Sequence, residues 1–293
     1  LKRHLKKISS SFDIIHVHSY HALPALYASQ TKKNNLLVFT PHYLGKGQTF
    51  FRNLLHIPYK FIAKKIFKES EKVICVSKYE KNMIIKNFQI EEEKISIIPN
   101  GVNVCELSKF TWAPNLKNPK IIYSGRLEKT QKNVDKLIRS FKKIVENNID
   151  AEFVIIGDGP YKTGMKNLIK KLNLEERVKV KNWLPRIDYL KELASSNVFV
   201  LPSDYECYGI AAAEAIIMGI PTVVADSTAL SEFVENGLAL GINTPITPQE
   251  IAKSIQKALT TPKVSITSTQ DKILSWNDIV ERLERLYLEI KIN

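Results

Sequence analysis

Two glutamates, Glu206 and Glu214, stand eight apart in the stretch Pro202-Ser203-Asp204-Tyr205-Glu206-Cys207-Tyr208-Gly209-Ile210-Ala211-Ala212-Ala213-Glu214. The apolar run Val198-Phe199-Val200-Leu201 before them reads as a buried strand, and the Ala- and Ile-rich residues 208–218 read as a helix stopped by Gly219-Ile220-Pro221. One carboxylate is therefore expected in a tight loop and the other on the second helical turn. The first N–H groups of such a helix lack internal partners and favour an anion. A loop at the carboxyl end of a parallel strand is where open α/β sheets bind ligands. Two hydroxyl-accepting carboxylates beside an anion site suit a sugar and a ribose hung from a phosphate. Without that strand–loop–helix setting, the two acids would read as ordinary solvated surface.

Other residues could join this chemistry. In Tyr123-Ser124-Gly125-Arg126-Leu127 a strand ends in a glycine turn followed by cations, with Lys132 beyond and Lys129 competing for its role. Paired cations there would stabilise negative charge on a bound or reacting group. His42 follows a strand end in Val38-Phe39-Thr40-Pro41-His42. His16 and His18 alternate on one strand and are expected on opposite sides, one packed in the core and one reaching a cleft. All six histidines lie between His4 and His56, and no pair has the spacing and acidic company of a metal site. Gly157-Asp158-Gly159-Pro160 is not a dinucleotide fingerprint, and no phosphate-binding loop of the ATPase type is present.

These residues hang on a strand–helix rhythm that runs twice. Strands are expected at 12–18, 36–40, 72–76 and 94–98, with helices through about residue 30, at 50–68, and after the capping box Ser77-Lys78-Tyr79-Glu80. Residues 104–118 read as a linker. The second half repeats the pattern, with strands at 120–124, 152–156, 178–181, 197–201 and 221–224. The later helices include one opened by Thr247-Pro248-Gln249-Glu250 and a final amphipathic one near 275–290. Two doubly wound α/β domains follow: 1–103 and 119–271, with 272–293 a helix packing back on the first.

The 293 residues suffice for two cores. Three cysteines, Cys75, Cys105 and Cys207, are odd in number and widely spaced, against a disulfide framework and in favour of a reducing, cytoplasmic setting. Residues 1–103 carry 17 Lys/Arg against 7 Asp/Glu, most of the chain's net +13. Nucleic acid or an anionic membrane surface would suit that charge. The membrane is favoured by the stretch 50–70, where apolar residues including Phe51, Leu54, Phe61 and Phe67 interleave with Arg52, Lys60, Lys64, Lys65 and Lys68. A core helix with solvated lysines is the competing reading.

The segment around Glu206 and Glu214 resembles the Glu-x7-Glu motif of retaining glycosyltransferases of the GT-B fold, in particular the large family 4. Gly125-Arg126-Leu127 with Lys132, His42 in its strand-end context, Asn100-Gly101-Val102 and Gly157-Asp158-Gly159-Pro160 extend the resemblance along nearly the whole chain. The resemblance implies two facing Rossmann-like domains, the first lacking its opening β-α-β and the glycine-rich loop found there. It implies a sugar moved from a nucleotide-sugar, UDP- or GDP-linked, to a hydroxyl of a glycan or lipid-linked acceptor, with retention of configuration. Glu214 would hold the ribose and Glu206 a hydroxyl of the transferred sugar. The amides of Tyr208, Gly209 and Ile210, with Gly125, would serve the sugar and phosphates. Arg126 and Lys132 would neutralise the leaving diphosphate, so no metal and no cofactor are expected. His42 would lie near the sugar and acceptor, and His16, His18, Arg52, Lys60, Lys64 and Lys65 on the acceptor and membrane side.

The Arg126–Lys132 gap is one residue longer than usual for the family. Asp226-Ser227-Thr228 stands where many relatives carry Gly-Gly, which restricts the backbone there. An impaired remnant that binds the nucleotide-sugar without transferring it is an alternative, and a basic nucleic-acid-binding protein a remote one.

Overall fold

The computed structural model describes residues 1–45, 50–115, 117–260 and 272–292, and of 50–58 the backbone alone. The chain divides into two compact units, one of residues 1–101 with 276–293, the other of 102–275. Helix assignments follow the sequence pattern closely at most positions.

The first unit begins with α1 (Lys2–Ile8), unforeseen because its basic run has no strong apolar period, and continues with β1 (Ile14–His18), α2 (Leu23–Thr31), β2 (Leu36–Thr40), α3 (Phe50–Glu69), β3 (Lys72–Cys75), α4 (Lys78–Phe88) and β4 (Ile95–Ile97). Its sheet is parallel throughout in the order β1-β2-β3-β4. Helices on a parallel sheet bury both faces, which is why β2 and β3 read as nearly unbroken apolar runs. Leu37, Val38, Phe39 and Val73 are completely buried. Tyr20, Phe39, Tyr43, Phe67 and Phe88 form the aromatic centre of this core, with ring centroids 4.7 Å apart between Phe67 and Phe88.

The predicted capping box is present, with one change. Ser77 Oγ accepts from the Glu80 N–H at 3.1 Å. The fully buried Glu80 carboxylate turns to the preceding loops, accepting from the N–H groups of Tyr43 at 2.5 Å and Val76 at 2.8 Å. Burial raises its pKa to about 7 against the opposing pull of those two hydrogen bonds. It thereby ties the loop that carries His42 to the end of β3.

The second unit holds α5 (Val104–Leu107), β5 (Lys120–Ser124), α6 (Val134–Glu146), β6 (Glu152–Ile156), α7 (Lys162–Lys171), β7 (Val178–Lys181), α8 (Arg186–Ala194), β8 (Val198–Leu201), α9 (Ile210–Ile217), β9 (Thr222–Ala225), α10 (Ser231–Glu235), β10 (Leu240–Ile242) and α11 (Pro248–Thr260). The chain ends with α12 (Trp276–Ile292), which belongs to the first unit. In α6 the residues Val134, Leu137, Ile138, Phe141 and Ile144 are buried, the 3.6-residue period of a helix laid on a sheet.

The second sheet is parallel in the order β10-β9-β8-β5-β6-β7. Its winding reverses between β5 and β8, and the crevice beyond their carboxyl ends is the switch point where such sheets take ligands. The sixth strand, β10, was too short for a sequence pattern.

Residues 104–118, expected as a linker, are instead docked on the second unit. The segment contains α5, the Trp112 indole donates to Ser196 O at 2.7 Å, and the Ala113 N–H donates to Ala194 O at 3.0 Å. Its backbone and tryptophan find partners there, so the segment is not a free tether. Where the chain leaves and re-enters this unit, the Val102 N–H donates to Leu274 O at 3.0 Å.

Candidate functional site

Gly125-Arg126-Leu127 leaves β5 at the switch point and is gripped by the next loop. The Gly125 N–H donates to Ile156 O at 3.0 Å and the Leu127 N–H to Asp158 O at 2.9 Å. Gly157 has φ +148°, and a Cβ there would stand 2.0 Å from Gly125 O. The Gly157-Asp158-Gly159 turn therefore exists to let two backbones touch. From below, the Tyr123 hydroxyl donates to Arg126 O at 2.9 Å. The Arg126 side chain is exposed, with Nε 2.9 Å from Glu128 Oε1.

Lys132 and Glu206 form an ion pair, both side chains largely buried. Three contacts bring their loops together. Asn133 adopts a left-handed conformation at φ +52° and its amide donates to Pro202 O at 2.9 Å. The Gln131 amide donates to Tyr205 O at 3.0 Å, and the Asp204 N–H donates to Gln131 O at 2.9 Å. Lys129 is exposed, so the burial singles out Lys132. Thr228 takes φ +55°, keeping a left-handed turn without a glycine, and its hydroxyl lies 3.4 Å from the Glu206 N–H.

The helix expected from 208 begins at Ile210, because Gly209 at φ +102° breaks the backbone just before it. Tyr208 is buried, its ring 5.6 Å from that of Phe233. Glu214, 7% exposed, projects from α9 into a cavity of about 420 Å³. Ser124, Gly125, Trp183, Tyr189 and Ile210 are among its lining. The Tyr189 hydroxyl donates to Glu214 Oε2 at 3.1 Å, and Arg186 Nη1 lies 2.7 Å from Oε1. Burial and the Glu214 charge raise the Tyr189 pKa, which keeps this hydroxyl a donor.

Gly125, Ile210 and Glu214 thus share one cavity, whereas Lys132 and Glu206 pair at the adjoining loop. Sequence reading missed Arg186, Tyr189 and Trp183. The signal was available, since residues 182–189 follow the end of β7 and Arg186 and Tyr189 share a helix face at i, i+3.

In the first unit, His16, His18 and His42 form a stack. The expectation that His16 and His18 face opposite sides is corrected: a strand has period two, so residues two apart share a face. Their ring centroids are 4.4 Å apart, and His18 Nδ1 lies 3.3 Å from His42 Nε2. His16 is held by the Tyr287 hydroxyl of α12 at 2.6 Å and by Thr40 Oγ1 at 2.8 Å. Burial, then the neighbouring His18 and His42, lowers the His16 pKa to about 4. Burial lowers the other two as well, and His18 adds to the effect on His42. Among the described residues no group of three or more His, Cys, Asp or Glu could hold a metal ion.

On α3, Ala63, Ile66 and Phe67 face the core, whereas Phe61, Lys64, Lys65 and Lys68 are exposed and Lys60 is half-buried. The Arg52 side chain lies outside the described residues. Among those residues no helix is long and apolar enough to cross a membrane.

Comparison with known proteins agrees with this geometry. The family profile described as glycosyl transferases group 1 matches residues 106–270, and that of glycosyltransferase family 4 matches residues 1–105. The UDP-Gal:alpha-D-GlcNAc-diphosphoundecaprenol alpha-1,3-galactosyltransferase of Escherichia coli is 29% identical over 313 residues, spanning 99% of this chain and 78% of that protein. Among solved structures, the sucrose-phosphate synthase of Thermosynechococcus elongatus superposes with a TM-score of 0.82 at 20% identity, over 99% of this chain and 77% of that one. The Anabaena protein HepE, in complex with UDP and glucose, gives 0.78 at 18% identity, over 98% and 80%. With the group 1 profile covering more than half of its length, the chain belongs to the glycosyl transferases group 1, built on two α/β units of the GT-B type.

Proposed function

We propose that the chain transfers a hexose from a nucleoside-diphosphate sugar to a hydroxyl of a glycan or lipid-linked acceptor, with retention of anomeric configuration. The observation that carries the donor half is Glu214, a nearly buried carboxylate held by Tyr189 and Arg186 in a cavity at the sheet's switch point. Its oxygens would accept the ribose hydroxyls. Glu206 would accept a hydroxyl of the sugar, and the amides of Tyr208, Gly209 and Ile210 would face the sugar and phosphates. Arg126 and Lys132 would take up the charge of the leaving diphosphate, the task metal ions perform elsewhere. Attack would come from the side the diphosphate leaves, with the departing phosphate accepting the acceptor's proton. The two glutamates are then binding groups, unlike the nucleophile and acid of a glycosidase. The Escherichia coli relative is named for a UDP-Gal donor, which favours UDP over GDP here.

Calorimetric titration with UDP, GDP and their sugar conjugates tests this reading. UDP or UDP-hexose is expected to bind the unaltered chain and to lose roughly 100-fold or more in affinity with Glu214→Ala. Equal binding by that variant would sink the assignment. Binding with neither transfer nor donor hydrolysis would favour the impaired remnant.

The acceptor half rests on the first unit's charge and on Phe61, which is 72% exposed among Lys64, Lys65 and Lys68. We place the protein in the cytoplasm, with this face against an anionic membrane carrying the acceptor. Co-sedimentation with phosphatidylglycerol vesicles is expected at low salt and reduced by Lys64→Glu/Lys65→Glu. No sedimentation of the unaltered chain would overturn the placement.

A further inference from the structure

Glu214 is not alone in its cavity. Arg186 spends Nη1 on Glu214 Oε1 at 2.7 Å, and Nε and Nη2 on Glu106 Oε2 at 3.0 and 2.8 Å. The three residues come from three elements, α5, α8 and α9. We propose that Arg186 is a positioning residue of the nucleotide site, and that Glu106 sets the affinity for a nucleoside diphosphate through it. The inference rests on Glu214 being the ribose carboxylate.

The chemistry of a carboxylate gives the first reason. It offers about four lone-pair directions, two on each oxygen. In Glu214 one direction on Oε2 is filled by the Tyr189 hydroxyl and one on Oε1 by Arg186. One acceptor direction therefore remains on each oxygen, enough to accept the two hydroxyls of a ribose. Without Arg186 the carboxylate could rotate, and it would be a nearly buried charge with no counter-charge, which is costly.

The second reason concerns Arg186 itself. An arginine is long and its side chain has rotamers to lose, so one contact would not fix it. Here the planar guanidinium is gripped along one edge by Glu106, which sets where its remaining nitrogen points. It also lies 5.7 Å over the Tyr189 ring, the same residue that donates to Glu214. Burial alone opposes its charge, yet the hydrogen bonds to Glu106 and Glu214 raise its pKa.

Glu106 in turn is held by its helix. Asn103 Oδ1 accepts from the Glu106 N–H at 3.1 Å, and Leu107 beside it is buried. Glu106 is absent from the residues that line the cavity, whereas Arg186 and Glu214 are both there. Its influence on a ligand must then pass through the guanidinium.

The test is calorimetric binding of UDP and GDP to the unaltered chain, Glu106→Gln, Arg186→Lys, Arg186→Ala and the double variant Glu106→Gln/Arg186→Ala, with thermal melts as the folding control. Arg186→Ala is expected to weaken binding roughly 30-fold, since it strands a buried carboxylate. Arg186→Lys is expected to lose about tenfold, because an ammonium lacks the fork that reaches both acids. Glu106→Gln, which preserves shape, is expected to lose about fivefold. The double variant should bind as Arg186→Ala does, because Glu106 then has nothing to act through.

Wild-type affinity in Glu106→Gln overturns the proposal, and so does a double variant whose loss is the product of the single losses. Both results leave the nucleotide reading intact as long as Glu214→Ala abolishes binding. No nucleoside diphosphate bound by the unaltered chain overturns both together.

Discussion

Lys132→Ala is expected to lower sugar transfer by roughly 100- to 1000-fold, the usual cost of removing one preorganised group that stabilises charge in the transition state. Lys132 and Arg126 differ in surroundings. Arg126 is exposed on its loop and leans on Glu128, so solvent screens much of its charge. Lys132 is largely buried against Glu206 and screened far less. The loss should therefore fall more heavily on Lys132 than on Arg126→Ala. It should appear in kcat rather than in the affinity for the intact nucleotide-sugar, because the diphosphate gains its extra charge only as the sugar departs. Lys132→Ala also leaves Glu206 without its partner, so Lys132→Ala/Glu206→Gln should be less than multiplicatively impaired. The measurement is nucleoside-diphosphate release from the nucleotide-sugar found to bind by calorimetry. A Lys132→Ala chain within a few-fold of normal turnover would remove Lys132 from the mechanism.

The first unit is expected to lose stability steeply as pH falls from 6.5 to 4. His16 is neutral in the fold down to about pH 4, whereas in the unfolded chain it protonates near the ordinary imidazole value of 6.5. The unfolded state therefore binds more protons throughout that window, and stability rises with pH across it. The full effect is present above the unfolded value and is gone below the folded one. For His16 this amounts to about 2–3 kcal/mol after allowing for its partial exposure. His18 and His42 shift in the same direction and add to it. The groups facing His16 are the hydroxyls of Thr40 and Tyr287 and the two other imidazoles. Trp276 lies in the first unit, whereas Trp112 and Trp183 lie in the second. Urea melts followed by its fluorescence in a Trp112→Phe/Trp183→Phe background would isolate the right unit. A midpoint unchanged between pH 7 and 4.5, or a His16→Gln chain with the same slope, would contradict this account.

Local chemistry explains how much of this could be read beforehand. The buried strands were legible because parallel strands covered on both faces are continuous apolar runs, as in Leu36–Thr40 and Glu152–Ile156. Ser77 and Glu80 announced a helix start because their spacing encodes a cap. Strand β10, Leu-Gly-Ile, is placed by its pairing with β9, a non-local fact that three residues do not carry. Glu206 and Glu214 stood out because strand, loop and helix were written around them. Arg186 did not, because a lone arginine on a short helix looks solvated until two distant acids are brought to it. The histidine stack was hidden by a mistake of period, since residues two apart on a strand stand side by side.

The hydrogen bond from Val102 to Leu274 has a consequence for the order in which the chain can fold. His16 and Tyr287 are 271 residues apart in sequence, and closing so long a loop from a disordered chain costs entropy. The second unit is one continuous stretch whose two ends meet at this bond. Once it has folded, α12 is delivered close to where the first stretch of chain ended, and most of that loop is already closed. Completing the first unit therefore costs less chain entropy once the second has folded, although its strands are synthesised first.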